Sequence, residues 1–186
     1  AAVELGISMA AAGSYMSAFY IGYVMTPMPG GVLGDRFGVR GVMAGALLVE
    51  ALGTLAVGLA PSFGLGFAGR LVTGLGAGAV DASCIRYVTT LFPPREQPMA
   101  FALMMMAPVG VGVIIPNLLM PWLNAVFSWR GAFCAMSLLV LGMGLVAWLM
   151  VRDKPRPRAQ VSSFFSGLGL VLREKNLVFL ALACFG

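Results

Sequence analysis

Long apolar runs separated by short charged or proline-rich breaks make up this chain. Residues 5–34, 97–129 and 131–151 contain no Asp, Glu, Lys or Arg. Apolar positions follow one another there without strand-like alternation, and about 20 of them span a hydrocarbon core. Backbone polar groups in lipid must be paired within the segment, so continuous runs predict transmembrane helices rather than barrel strands. Five spans are expected, near 8–30, 41–60, 65–92, 98–122 and 131–151, with a sixth starting at 176. Pro27 and Pro29 bend or end the first span, the turn Pro61-Ser62-Phe63-Gly64 closes the second, and Pro93-Pro94 stops the third. The expected fold class is an all-α polytopic membrane protein.

Composition points the same way. Of 186 residues, 60% are hydrophobic and 10% charged, whereas a soluble domain carries roughly 25% charged residues. Cys84, Cys134 and Cys184 lie inside apolar runs with no paired spacing, which predicts neither a disulfide framework nor a metal site. The absence of histidine removes histidine ligands and any Ser-His or Cys-His relay, so a membrane enzyme is poorly supported. No cofactor is expected: Gly74-x-Gly76 lacks the following Gly-Lys-Ser/Thr of a phosphate-binding loop and sits within a span. Residue 1 is Ala, no basic region precedes an apolar leader, and 176–186 supplies only about half of an apolar segment. The chain is therefore expected to be part of a longer polytopic protein.

Charge is distributed by loop. One set of alternate breaks holds Arg36, Arg40, Arg95, Arg152, Lys154, Arg156, Arg158, Arg173 and Lys175, while the opposite set holds Arg130. Nine cations against one place the first set in the cytoplasm. The net charge of +5 is thus topology and lipid-surface charge, and nucleic acid is not an expected partner. Trp122 and Trp129 fit the outer boundary of the bilayer and Trp148 the inner one. Residues 152–175 read as a cytoplasmic central loop, either lying along the inner surface or merely solvated, between a bundle at 1–151 and a second bundle begun at 176–186.

Between the first two spans lies Gly31-x3-Asp35-Arg36-x-Gly38-x-Arg40, read as a short charged hairpin. Its glycines permit a tight turn and close helix approach, its arginines can face lipid phosphates, and Asp35 at a helix end wants a cationic or helix-N-terminal partner. This stretch resembles the signature loop between transmembrane helices 2 and 3 of the major facilitator superfamily. Arg70-x3-Gly74-x-Gly76-x-Gly78 resembles that family's helix-4 motif, and Phe127-Ser-Trp129-Arg130-x2-Phe133 is similar to the start of its helix 6. The resemblance covers essentially the whole chain and about half of a twelve-helix member, from helix 2 into helix 7. It implies alternating access of two bundles around a midplane site, with the Asp35 loop latching the cytoplasmic side. The implied activity is secondary active transport of a small solute across the cytoplasmic membrane, by a protein that is monomeric at full length.

Candidate path residues follow from intramembrane polarity. Arg70 and Asp81 are eleven residues apart, three helical turns plus about 20°, and so share one face about 16 Å apart. A guanidinium in hydrocarbon costs at least a few kcal/mol unless it faces protein or water, which turns this stripe inward. Gly74, Gly76 and Gly78 let a neighbouring helix approach. Arg70 could pair with an anionic substrate or tune a proton-carrying carboxylate, and Asp81 could be that carboxylate or a latch partner; both could instead be static ion-pair partners. Arg86 reads as an anchor snorkelling to headgroups. Glu50 could carry a proton or be a strut bonded to Arg70 or a threonine. Tyr20 and Tyr23, three apart, could line a cavity or simply pack. Pro108, Gly110, Gly112 and Pro116 would bend or break the fourth span, with Asn117 offering an amide at depth.

Intramembrane carboxylates make protons the expected coupling ion. The segment after Phe92 and the Trp129-Arg130 pair are similar to organic-anion symporters, although the position seven beyond Arg70, acidic in many of those, is Ala77. The fourth span departs from the helix-5 pattern of drug/proton antiporters. A transporter-like sensor or scaffold that binds solute without moving it is the alternative. The orientation is checked by labelling: a cysteine replacing Asp35 in a cysteine-free full-length protein reacts with an impermeant maleimide only after permeabilisation. Labelling of intact cells would reverse the topology.

Overall fold

A computed structural model describes residues 9–152, which fall within one compact unit, Ala1–Lys154. They form α1 (Met9–Met25), α2 (Pro27–Phe37), α3 (Val39–Gly58), α4 (Phe63–Leu91) and α5 (Gln97–Met150). Val39–Gly58, Phe63–Leu91 and Asn117–Met150 are long and apolar enough to cross a membrane. The central loop expected beyond residue 152 and the segment 176–186 lie outside the described residues.

Two expected breaks are smaller than the sequence indicates. The stretch 31–40 is not a ten-residue hairpin: α2 carries the helix through Arg36 to Phe37, and α3 starts one residue later. Pro27 and Pro29 stand in the first turn of α2, where a missing N–H costs nothing, so they interrupt the helix at Thr26 without ending the span. The whole reversal falls on Gly38 (φ 84°, ψ 153°), a conformation in which any Cβ is strained. Likewise the expected loop between the fourth and fifth spans contracts to Ser128 (φ 64°, ψ 169°), which divides α5 into arms 97–127 and 129–150. The backbone through Pro108, Pro116 and Asn117 remains helical, so those residues do not break the span.

Helix α4 is the hub. It meets α1 and α2 on one side and α3 on the other, and the second arm of α5 packs on α3 and touches α4 as well. Lipid tails are as apolar as leucine, so helices associate here through close van der Waals fit rather than a hydrophobic drive. Glycine supplies the fit. A Cβ on Gly74 would overlap the Phe19 carbonyl, one on Gly78 the Tyr23 carbonyl, and one on Gly22 the Leu71 carbonyl, so α1 and α4 touch backbone to backbone. Across the other seam, a Cβ on Gly53 would lie 2.8 Å from the Gly69 carbonyl, and one on Gly76 2.7 Å from the Ala46 carbonyl. Further along this seam Met43 and Leu47 pack with Val80, Cys84 and Tyr87 of α4 and with Val140 and Ala147 of α5.

Two arginines join α3 to the second arm of α5 at opposite ends. Arg40, in the first turn of α3, donates from Nε to the Trp148 carbonyl (2.6 Å) and lies 4.3 Å over the Trp148 ring. Arg130, at the start of the arm, donates to the Ala60 carbonyl just beyond α3 (3.3 Å) and lies 5.0 Å from the Trp129 ring. Each guanidinium thus meets carbonyls left over at the C-terminal end of the partner helix, where the helix dipole favours a cation. Arg40 is therefore engaged with the second arm through its Nε.

Gly74→Val in the full-length protein is expected to lower the melting temperature in detergent, since overpacking of a tight contact costs about 1–3 kcal/mol. Gly45→Ala, with nothing within 4 Å of its Cβ, is expected to leave it level or raise it. Equal loss from both would mean that the α1–α4 seam does not limit stability. Arg40→Ala and Arg130→Ala should each lower the melting temperature as well, checked by the same thermal scan.

Candidate functional site

The face of α4 that carries Arg70 and Asp81 lies between its contacts with α1 and those with α3. Eleven residues of helix put the two groups about 16 Å apart along one stripe. Each has a tyrosine of α1 beside it. Tyr23 donates its hydroxyl hydrogen bond to Asp81 Oδ2. Tyr15 lies within electrostatic reach of Arg70 and donates to the Phe63 carbonyl at 3.3 Å. The guanidinium of Arg70 also stands 5.0 Å from the Phe133 ring, at the start of the second arm of α5. A cation over an aromatic face is attracted by about 0.5–2 kcal/mol, more when water is excluded.

Glu50 comes from α3 toward the same stripe. Because Gly76 has no side chain, the backbone N of Glu50 lies where a Gly76 Cβ would be 2.6 Å away, and Glu50 is within electrostatic reach of Asp81. The hydroxyl of Thr54 bonds the backbone carbonyl of Glu50 at 2.9 Å, leaving the carboxyl out of that contact. The strut to a threonine is therefore a backbone bond. Tyr15, Tyr23, Glu50, Arg70 and Asp81 together give three apolar helices a common polar face.

The remaining candidates lie elsewhere. Tyr20 is 60% exposed, edge-on to Phe19, and does not join Tyr23 at Asp81. Asn117 lines a groove of about 600 Å³ with Asn124, Trp129 and Phe133. Phe133 thus serves both places, with Arg70 on its ring and Asn117 in the groove it lines. Arg36 is exposed in the last turn of α2. The side chain of Asp35 lies outside the described residues. Gly31 has open space at its Cβ position, so close packing does not require glycine there. Arg86 lays its stem on α2, its Cδ 3.2 Å from a Cβ built on Gly34. Among the described residues no group of His, Cys, Asp and Glu is placed to hold a metal ion.

Tyr15 and Phe133 were not singled out from the sequence as site residues. The signal for Tyr15 was present: Tyr15, Phe19 and Tyr23 recur every four residues, a stripe that meets Gly66, Gly74 and Gly78 of α4. For Phe133 no local pattern exists, since its neighbour is 63 positions away in sequence.

Comparison with known proteins fits this arrangement of motif and helix. The family model described as Major Facilitator Superfamily matches residues 1–186. The "Hexuronate transporter" of Bacillus subtilis (strain 168) is 26% identical over 98% of this chain and 45% of its own length. The "Probable galactarate/D-glucarate transporter GudP" of the same organism is 30% identical over 86% of this chain and 36% of its own. In Escherichia coli (strain K12) the "Probable galactarate/D-glucarate transporter GarP" is 30% identical over 92% and 40%. The chain spans less than half the length of these relatives. With its whole length matched, the chain belongs to the major facilitator superfamily.

Proposed function

We propose that the full-length protein is a secondary active transporter that carries a small organic anion across the cytoplasmic membrane by alternating access, coupled to protons. The observation that carries this reading is the half-buried Arg70, held in an apolar helix between Tyr15 and the Phe133 ring on the stripe that also bears Asp81. An arginine placed at such cost in a membrane helix is retained for an anion or a path. Its planar fork matches a carboxylate. Relatives named for hexuronate and for galactarate and D-glucarate supply the substrate class: sugar acids, each bearing at least one carboxylate.

Protons enter because Glu50 and Asp81 are carboxyl groups within membrane helices and electrostatically close. The excess of cations on the Arg40 side orients that side to the cytoplasm. There the Gly38 turn, with Asp35 and Arg36 before it and Arg40 after it, serves as the cytoplasmic latch, and Gly74, Gly76 and Gly78 keep the bundle rigid enough to rock as a body.

Full-length protein reconstituted in proteoliposomes is expected to accumulate a hexuronate or galactarate when the outside is acidified, and to leave the corresponding neutral sugar outside. A hydrogen bond to a charged group contributes about 1.5–3 kcal/mol, so Arg70→Gln should cut uptake about ten- to hundredfold. Binding of the acid without flux would replace the transporter by a sensor, and equal uptake by Arg70→Gln would remove Arg70 from anion recognition.

A further inference from the structure

The two intramembrane carboxyls differ in what they are given. Asp81 accepts a hydrogen bond from the Tyr23 hydroxyl, and a bond from a hydroxyl to an ionised carboxylate is of the strong, charge-assisted kind. Glu50 is the one charged residue between 41 and 69, and among the described residues its carboxyl takes no hydrogen bond. A carboxylate without a donor in apolar surroundings is expensive, and a proton removes the expense. Backbone contact at Gly76 fixes Glu50 against α4, within electrostatic reach of Asp81. Of two carboxyls in such a setting, the one without a donor is the one that gains most from taking a proton.

On the transporter reading given above, we infer that Glu50 is the group that binds and releases the coupled proton, and that Tyr23 positions Asp81 beside it. The step is the transfer of one proton from water to a Glu50 carboxylate oxygen on one side of the membrane and its return to water on the other. No bond between heavy atoms changes. The groups around the pair come from every neighbouring helix. Helix α1 presents Tyr23, and α4 presents Cys84 one turn beyond Asp81 and Arg70 three turns before it. Arg86 of α4 lies against Gly34 of α2, and further along the seam, at Met43 and Leu47, α4 adds Tyr87 and α5 the apolar Val140 and Ala147. Tyr23 acts through Asp81 and is a positioning residue.

The test uses full-length protein in proteoliposomes, with a hexuronate as solute and a pH-sensitive dye reporting solute-driven proton movement across a pH series. Glu50→Gln is expected to lose solute-driven proton movement and the pH dependence of uptake, and Glu50→Asp to restore both. Tyr23→Phe is expected to change the pH profile, because Asp81 beside Glu50 is then no longer held by its donor. Wild-type proton movement in Glu50→Gln would overturn the assignment. If Glu50→Gln is not recovered from the membrane, the Tyr23→Phe profile decides, and an unchanged profile overturns it. Wild-type liposomes that show solute uptake but no proton movement would sink proton coupling itself, and liposomes with no uptake the transporter reading, whatever the variants do.

Discussion

Backbone contact across α4 is the constraint from which the remaining structure follows. In lipid, apolar side chains gain little by leaving their solvent, so a bundle holds together only where helices approach closely enough for many small attractions to add. Gly22, Gly74 and Gly78 bring α1 to that distance, and Gly53, Gly69 and Gly76 do the same for α3. The two seams fall on opposite sides of one helix. One of the strips between them bears Arg70 and Asp81.

This division explains why charged groups are tolerable there. A side chain on the strip is shielded from lipid by α1 and α3, and close approach of those helices brings partners within reach: Tyr23 for Asp81, and Tyr15 with Phe133 for Arg70. Packing and polarity are therefore one device. A larger residue at Gly74 would push α1 outward and carry Tyr23 away from Asp81, so a substitution far from any substrate would still alter the polar face.

The fold was largely legible because lipid imposes it. Uncharged runs gave the helices within two or three residues at α3 and α4, and the paired motifs gave the family. The breaks were misread for a common reason. Gly, Pro and charge at 27–40 signal a loop in a soluble chain, but at a membrane boundary water solvates the arginine and proline is harmless in a first turn, so α2 continues to Phe37. At these two breaks a single residue each, Gly38 and Ser128, makes the turn. At the site, spacing placed Arg70 and Asp81 on one stripe. It could not pair Asp81 with Tyr23, 58 positions away, nor separate Tyr20 from Tyr23, because helical periodicity says which residues share a face and nothing about which helix lies opposite.

The paired arginines show how a strained turn is held. Ser128 adopts a backbone conformation that costs a non-glycine residue about 1–3 kcal/mol and persists only when its surroundings over-determine it. Those surroundings are visible: Gly131 leaves room for Phe127 where a Cβ would stand 2.6 Å away, and Arg130 ties the start of the second arm to the Ala60 carbonyl. Arg40 repeats the tie at the other end through Trp148. The second arm is thus fixed to α3 at both membrane faces, and Phe133, three residues past Arg130, is delivered to the Arg70 guanidinium by the same attachment. The aromatic wall of the polar face depends on the turn at Ser128, which is why a motif that looks like mere topology charge, Trp129-Arg130, also shapes the site.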